Sequence, residues 1–283
     1  MPISTIGAVE KLTGQLDNNN IVQYQLPLAA INEEGKQQSI ALNPMIGQKL
    51  TLNFHNKIAC KHCGNTTKKS YSQGFCYPCM IKLAQCDMCI MKPETCHHHL
   101  GTCREPKWGE QHCMVDHYVY LSNTSALKVG ITRHTQVPTR WIDQGATQAL
   151  PIFKVSTRLQ SGLVETALAE FISDKTNWRA MLKGSNEIID LKAQAKILIP
   201  QIEQRLADIA LKFGEDAVQL LDEQVVEINY PVSQYLTKIS SFNFDKTPTV
   251  SGILLGIKGQ YLIFEQGVIN MRKFSSYQIS VEY

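Results

Sequence analysis

Long apolar runs are missing from this 283-residue sequence. No stretch approaches the roughly 18 consecutive apolar residues that a membrane-spanning helix needs. The sequence also opens without the basic segment and apolar core of a secretory leader. These two absences predict a cytoplasmic protein that does not enter a membrane.

A strong charge of either sign is also missing. The sequence carries 28 lysines and arginines against 25 aspartates and glutamates, a formal net charge of +3. So small an excess does not by itself identify a polyanionic partner, although local clusters of charge can still bind one. Internal repeats and low-complexity linkers are absent as well. Apolar residues make up 43 % of the chain, enough for hydrophobic cores in one large domain or in two to three small ones.

Cysteine is missing from most of the chain, because all nine cysteines fall between Cys60 and Cys113. A secreted disulfide protein would spread its cysteines through the fold, so the clustering indicates metal binding. Twelve residues separate two C-x-x-C pairs, a spacing that brings four thiolates to one tetrahedral Zn²⁺. We predict a zinc site formed by Cys60, Cys63, Cys76 and Cys79.

A second zinc site is predicted immediately after the first. A third C-x-x-C pair is followed by two cysteines at equal spacing, so the favoured ligands are Cys86, Cys89, Cys96 and Cys103. Three further residues remain open as substitutes: His97, His99 and Cys113. Four protein ligands close the coordination sphere, so both ions would be structural and would stabilise a segment that is poor in apolar residues.

Basic and aromatic residues are interleaved in the same region. This mixture can contact phosphates and stack on nucleobases. The alternative is a solvated lysine face that aids solubility. The residues concerned are Lys57, Lys61, Lys68, Lys69, Lys82, Tyr71, Phe75 and Tyr77.

The hydrophobic pattern divides the chain into five segments and predicts an α+β fold. Residues 1–55 and 247–283 alternate like short strands, and each has too few strands for a comfortable sheet alone. We therefore expect these two segments to pack together as one β-rich unit. Between them lie the cysteine-rich region at 56–114, an α/β unit at 115–185 and a helical connection at 186–246.

The α/β unit opens with the stretch YVYLSNTSALKVGITR at 118–133, which predicts a β-hairpin. Pro138 can begin a short helix that Gly145 ends, and a strand follows. Residues 161–175 place apolar side chains at helical spacing, with Glu165 at the edge of the apolar stripe. A carboxylate at that edge can face a cleft.

The order of these features resembles the GIY-YIG nuclease superfamily, especially its phage-associated branch. YVY at 118–120 stands in the place of GIY, and KVG at 128–130 in the place of YIG. Arg140 matches the helical arginine of that family, and Glu165 matches its metal-binding glutamate. A cysteine-rich region before such a domain is similar to an uncharacterised bacterial protein family. The resemblance implies a small mixed sheet with flanking helices, beside a zinc-ribbon-like region.

The resemblance also implies roles in phosphodiester cleavage. Tyr120 would accept the proton of an attacking water, helped by the cation of Lys128. Arg140 would stabilise the charge that develops on the phosphate oxygens, and Glu165 would bind one Mg²⁺ or Mn²⁺. Two departures from the pattern are Tyr118, in place of the first glycine, and Lys128, in place of the second tyrosine.

The sequence therefore predicts a metal-dependent endonuclease that cleaves DNA or RNA and is directed to it by a structural zinc module. Two alternatives remain: a non-catalytic zinc-containing nucleic-acid-binding protein on the same fold, and a protein–protein adaptor. His117 and His134 are alternative groups for proton transfer, although a lone histidine beside a strand is more often structural.

Overall fold

The computed structural model describes residues 4–30, 37–184 and 187–283. Antiparallel strands and short helices alternate through these ranges, so the predicted α+β class is confirmed. The strands, in chain order, are β1 (Ser4–Val9), β2 (Thr13–Leu16), β3 (Val22–Ala29), β4 (Gln37–Ala41), β5 (Lys49–Ile58), β6 (His117–Asn123), β7 (Leu127–Arg133), β8 (Gln148–Val155), β9 (Val218–Leu220), β10 (Val226–Glu227), β11 (Thr249–Lys258), β12 (Tyr261–Phe264), β13 (Gly267–Asn270) and β14 (Tyr277–Glu282).

The helices are short. They are α1 (Tyr77–Lys82), α2 (Pro106–His112), α3 (Thr139–Asp143), α4 (Arg158–Ala169), α5 (Trp178–Met181), α6 (Leu191–Leu198) and α7 (Glu203–Phe213). A 3₁₀ turn that contains Pro200 separates α6 from α7, because proline cannot donate the next helical hydrogen bond. Across the described ranges, no helix combines the length and the apolar character needed to cross a bilayer.

Strands from the first and last segments of the chain form one large sheet. Within the described residues this sheet has nine strands in the order β13-β12-β11-β5-β14-β1-β3-β2, with β4 paired to β3. Strand β14 lies between β1 and β5, with Ser4 opposite Glu282 and Ile58 opposite Tyr277. The sheet thus spans the β-rich segments 1–55 and 247–283, and β5 continues past residue 55 to the start of the cysteine-rich region.

A smaller sheet forms in the middle of the chain, with the order β10-β8-β6-β7 and β9 paired to β8 among the residues described. The hairpin of β6 and β7 places Tyr120 opposite Gly130. Because β9 and β10 come from the stretch after α7, this unit extends beyond residue 185 into the segment predicted as a helical connection.

The two faces of the smaller sheet contribute to different cores. On one face Val119, Leu121 and Val129 pack with apolar residues of α4, α6 and α7. On the other face Tyr120 joins the core of the large sheet, together with Trp141 of α3. The side chain of Tyr120 therefore lies where the smaller sheet and α3 meet the large sheet.

The cysteine-rich region docks on the first turns of α4. The Arg158 guanidinium donates hydrogen bonds to the backbone oxygens of Cys89 (3.4 Å) and Ile90 (2.7 Å). One turn further along, Gly162 lies against the 3₁₀ turn Pro93–Thr95, and a Cβ at Gly162 would collide with the Glu94 nitrogen and with Pro93. The absence of a side chain at Gly162 is thus what allows this close approach.

We expect Gly162→Ala to destabilise the protein, although alanine normally stabilises a helix interior by about 1 kcal/mol relative to glycine. The added methyl group must push the Pro93–Thr95 turn away from α4, and overpacking of this kind costs about 1–3 kcal/mol. Because the clash is with backbone atoms, this cost should lie in the upper part of its range, and urea unfolding should show a net loss of about 1–2 kcal/mol. Thr166→Ala, at an exposed position of the same helix, is the control and should not lower stability. Equal stability of Gly162→Ala and wild type would contradict the docking.

Candidate functional site

Tyr120 lies in the middle of β6 with its side chain fully buried. Its phenol O–H donates a hydrogen bond to Gln144 Oε1 (3.1 Å), and its ring meets the Trp141 ring edge-on at 5.9 Å. Burial raises the pKa of Tyr120 to about 12, and the nearby positive charge of Arg140 opposes that shift. The phenol is therefore protonated at neutral pH and held in one orientation.

Gly130 is the residue on β7 that makes room for this phenol. A Cβ at Gly130 would lie 2.7 Å from both Cζ and Oη of Tyr120, closer than real Cβ atoms approach other heavy atoms. Any larger residue at this position of the KVG motif would thus collide with Tyr120. The glycine allows the tyrosine ring to lie flat across the neighbouring strand.

Lys128 lies on the same face of the sheet as Tyr120. Its partner across the hairpin is Ser122, two residues from Tyr120, and alternate residues of a strand share a face. The residue is only 4 % exposed. Burial lowers the pKa of Lys128 to about 8, with the charge of Arg140 acting in the same direction and that of Glu165 opposing it. Lys128 is therefore partly deprotonated slightly above neutral pH.

Glu165 lies on α4, close enough to Lys128 and Arg140 to interact with their charges. Burial raises the pKa of Glu165 to about 7, whereas the positive charges of Lys128 and Arg140 lower it. The structure thus brings together all four predicted catalytic residues, which act on one another electrostatically. Asp174, just after α4 and exposed, is the next carboxylate to act on Glu165.

Two further arginines lie near this group of four residues, and sequence reasoning did not find either. Arg158 begins α4, and Arg272 lies in the 3₁₀ turn Met271–Phe274 just before β14. The charge of Arg140 acts on both of them. Arg272 is remote from Arg140 in the sequence, so only the pairing of β14 in the large sheet could reveal its place. Gln144 was also missed, because a glutamine after a short helix carries no local signal of its role.

The two histidines named as alternative proton-transfer groups lie elsewhere in the fold. His117 is fully buried on the opposite face of β6 from Tyr120, and its Nδ1 is 2.7 Å from the Val115 oxygen. Burial lowers the pKa of His117 to about 4, so the ring is neutral. His134 is exposed after β7, with Nδ1 3.2 Å from the Asp116 oxygen. His117 therefore lies off the face that carries Tyr120, and His134 lies beyond the end of β7.

The first cysteine cluster has the geometry of a metal site. The sulfur atoms of its four members lie within 4.8 Å of one another, and the Cys63 and Cys76 sulfurs are 3.7 Å apart. One C-x-x-C pair follows β5 in a tight turn closed by a Gly64 N–H to Cys60 oxygen bond. The other pair begins at the N-terminal cap of α1. These four residues, Cys60, Cys63, Cys76 and Cys79, could hold a metal ion, as predicted.

A second group of thiols lines one small enclosed cavity of about 10 Å³, which is the space that one ion or water fills. Its cysteines are Cys89, Cys96, Cys103 and Cys113. Cys86 lies elsewhere, because it packs against the first cluster and is hydrogen-bonded to Ser72. Cys113, a substitute in the sequence prediction, thus lies where Cys86 was expected.

Nitrogen and oxygen ligands are also close to this second cavity. The ligand atoms of Asp87, Cys89 and His97 lie within 4.8 Å of one another. Asp87, however, is already held by Arg104 in an ion pair of 2.6 Å and accepts a hydrogen bond from the Cys89 N–H. His99 is exposed. Asp87, Cys89 and His97 are thus close enough to share one ion, whereas the four thiols are linked only by lining the same cavity.

Comparison with known proteins identifies a family for this chain. A family model described as "Protein of unknown function (DUF2797)" matches residues 47–279. The chain belongs to this family. No curated protein and no solved structure matches the chain. The DUF2797 match includes both cysteine groups, the four residues of the cleft and Arg272, so the whole candidate site lies inside the region that defines the family.

We expect Gly130→Ala to lower the free energy of unfolding by about 1–3 kcal/mol, because its methyl group has no room beside the Tyr120 ring. A double-mutant cycle isolates this contact. In a Tyr120→Leu background the end of the ring is absent, so the cost of Gly130→Ala should fall substantially. An unchanged cost in that background would show that the strain does not arise from Tyr120.

Proposed function

We propose that this DUF2797 chain is a metal-dependent nuclease that cleaves a phosphodiester bond in DNA or RNA. The observation that carries the proposal is the convergence of Glu165, Lys128 and Arg140 beside the buried phenol of Tyr120. A partly buried carboxylate with two cations is costly to maintain, and such clusters of shifted pKa values concentrate at functional sites.

The arrangement of elements supports the GIY-YIG resemblance as part of this proposal. The hairpin of β6 and β7 carries Tyr120 and Lys128, α3 carries Arg140, and α4 carries Glu165 after the third strand, β8. Each residue of the proposed site thus occurs on the element that the resemblance implies. Fold alone does not assign a reaction, so the proposal depends on the side chains.

The candidate site supplies a carboxylate of the kind that binds a hard divalent cation. Carboxylate oxygens are the ligands that Mg²⁺ and Mn²⁺ prefer, and Glu165, with Asp174 nearby, supplies them. When bound, such a cation would act as a Lewis acid toward the phosphate. A bound cation would also favour the charged form of Glu165, which burial disfavours.

Arg140 is the group suited to the developing negative charge on the phosphate. Its planar guanidinium can donate two parallel hydrogen bonds to such an anion. The side chain is half-buried and lies beside the Tyr120 phenol. Partial burial strengthens its electrostatic effect on a bound phosphate.

The surroundings of the two candidate proton acceptors favour Lys128 over Tyr120. The phenol of Tyr120 donates its proton to Gln144, and its pKa is raised to about 12. The pKa of Lys128 is lowered to about 8. At neutral pH a neutral Lys128 amine is therefore present in more molecules than an ionised Tyr120 phenol. Within this proposal Lys128 accepts the proton of the attacking water, and Tyr120 orients the groups around it. This revises the role that the sequence suggested for Tyr120.

The two cysteine groups complete the proposal as structural zinc sites. Four thiolates close the coordination sphere of Zn²⁺, so neither ion would be open to substrate. The second group adjoins the cleft through Arg158, which bonds to the backbone of Cys89 and Ile90. Zinc binding there would therefore support the start of the helix that carries Glu165.

Metal analysis of purified protein should find two zinc ions per chain. Cys113→Ser should reduce the content to about one ion, whereas Cys86→Ser should leave both, because Cys86 lies outside the second cavity. The two variants replace the same atom and differ only in position. Loss of zinc from Cys86→Ser together with full zinc in Cys113→Ser would overturn this ligand assignment.

The wild-type protein should nick or cleave labelled DNA or RNA in Mg²⁺ or Mn²⁺, and Glu165→Gln should abolish cleavage because glutamine keeps the size but loses the charge. Arg140→Ala should reduce the rate by roughly a hundred- to a thousandfold. Lys128→Met should reduce it more than Tyr120→Phe, since the lysine is the proposed proton acceptor.

Glu170→Gln is the matched control for this assay. Glu170 follows the same helix as Glu165 but is exposed and pairs with Arg205 (3.4 Å), so its loss should leave cleavage unchanged. A protein that binds nucleic acid and cuts no tested substrate with either metal would remove the enzymatic proposal. Equal activity of wild type and Glu165→Gln would remove the proposed site.

A further inference from the structure

A line of positive charges leads from the candidate site to the first cysteine group. The charge of Arg140 acts on Arg272, and the charge of Arg272 acts in turn on Lys61, the residue after Cys60. Like charges in series repel one another, so the folded protein maintains this arrangement at a cost. We call Arg140, Arg272 and Lys61 the basic track.

One loop residue holds two members of the basic track in place. Lys61 Nζ donates to the Gln73 backbone oxygen (3.0 Å), and Arg272 Nε donates to the Gln73 side-chain oxygen. Lys61 Nζ also lies 4.2 Å from the centre of the Phe75 ring. Gly74, at φ +125°, lets the loop approach this closely, because a Cβ there would lie 2.8 Å from Lys61 Cδ. The two cations are therefore oriented before any ligand binds.

The hydrogen bonds that fix these two cations go to neutral oxygens. Both acceptors belong to Gln73, one a backbone carbonyl and the other a side-chain amide. Asp143 acts on Arg272 from further away, but it is already bound by Lys11 at 2.7 Å and by Gln260 at 2.9 Å. The Cys86 sulfur, Glu10 and the Cys60 sulfur act on Lys61. Because the hydrogen bonds to Gln73 are not to a carboxylate, Lys61 and Arg272 can still attract an external anion.

An exposed aromatic surface lies next to the Lys61 end of the track. Tyr77, the first residue of α1, is 55 % exposed, and its ring meets the Tyr71 ring edge-on at 5.7 Å. Tyr71 is itself fixed by backbone hydrogen bonds with Phe75, in the loop that holds Lys61 and Arg272. A tyrosine face that is exposed yet held by a second ring is a platform on which a nucleobase can stack.

We infer that the basic track and Tyr77 together bind an unpaired strand of nucleic acid and lead it to Arg140. This inference rests on the proposed function and names the form of its substrate. Phosphates of the strand bind to Lys61 and Arg272, and a base stacks on Tyr77. A duplex offers the same phosphates but no free base face, so stacking on Tyr77 selects single-stranded DNA, single-stranded RNA or an unpaired end.

The test uses zinc-loaded full-length protein carrying Glu165→Gln, so that binding is measured without cleavage. Fluorescence anisotropy compares a labelled 20-nucleotide DNA strand, the RNA strand of the same sequence and the DNA duplex. At least one of the two single strands should bind more tightly than the duplex. Tyr77→Ala should weaken the binding of that strand about 5- to 150-fold, the effect of losing one stacked base. The affinity for the duplex should not change.

Salt dependence tests the cations separately. For a single strand, each lost phosphate contact should reduce the slope of log K against log salt concentration by about 0.7. Arg272→Gln and Lys61→Gln should each show this reduction. Lys212→Gln, on α7, is the matched control and should leave the slope unchanged. Circular dichroism and zinc content confirm that each variant is folded.

The outcomes separate this inference from the proposed function. Equal binding of strand and duplex, with no effect of Tyr77→Ala, would overturn the inference whatever the cleavage assay shows. Displacement of the strand by polyglutamate of equal charge at equal concentration would also overturn it, because the track would then recognise charge alone. If single-strand binding depends on Tyr77 but the wild-type protein cleaves nothing, the inference stands and the proposed nuclease function fails.

Discussion

Pairing of β14 between β1 and β5 is the constraint on which the rest of the molecule depends. It joins the first and last strands in one sheet and fixes the 3₁₀ turn that precedes β14. That turn carries Arg272, so the register of a distant strand sets the position of a charge near Arg140. Strand β5, on the other side of β14, ends at Ile58 and delivers Cys60 directly into the first cysteine group. One set of backbone hydrogen bonds thus positions both the metal region and the basic side of the cleft.

The candidate site holds unequal charge in partly buried surroundings. Glu165 is the carboxylate that acts most on Lys128, and burial disfavours the charged forms of both residues. A protein optimised only for stability would fill such a place with apolar side chains. The arrangement is better suited to a ligand that brings an anion and a cation together, as a phosphate with its divalent metal does. Tyr120, packed between Gly130 and Trp141, is held rigidly beside these charges.

Local signals in the sequence predicted the local parts of this structure. The hairpin of β6 and β7, the end of α3 near Gly145 and the break at Pro200 all follow from turn and proline chemistry. The spacing of the first four cysteines predicted a group that could hold a metal. Positions set by long-range packing could not be found in this way: Arg272 depends on β14, and the replacement of Cys86 by Cys113 depends on how the cysteine-rich region docks on α4. Sequence spacing ranks cysteines by distance along the chain, whereas a metal site depends on distance in space.

The place of β14 also has a consequence for how the protein forms during its synthesis. Every other strand of the large sheet emerges from the ribosome earlier, yet β14 occupies an interior position. Until it arrives, β1 and β5 each present an unpaired edge, and such edges are sites of mispairing and aggregation. The pairings that close the sheet join residues more than 200 positions apart, such as Ser4 with Glu282, and contacts of such high sequence separation form slowly. The cysteine-rich region and the smaller sheet are complete in sequence well before this step, so they can fold first and hold the two halves of the large sheet near each other.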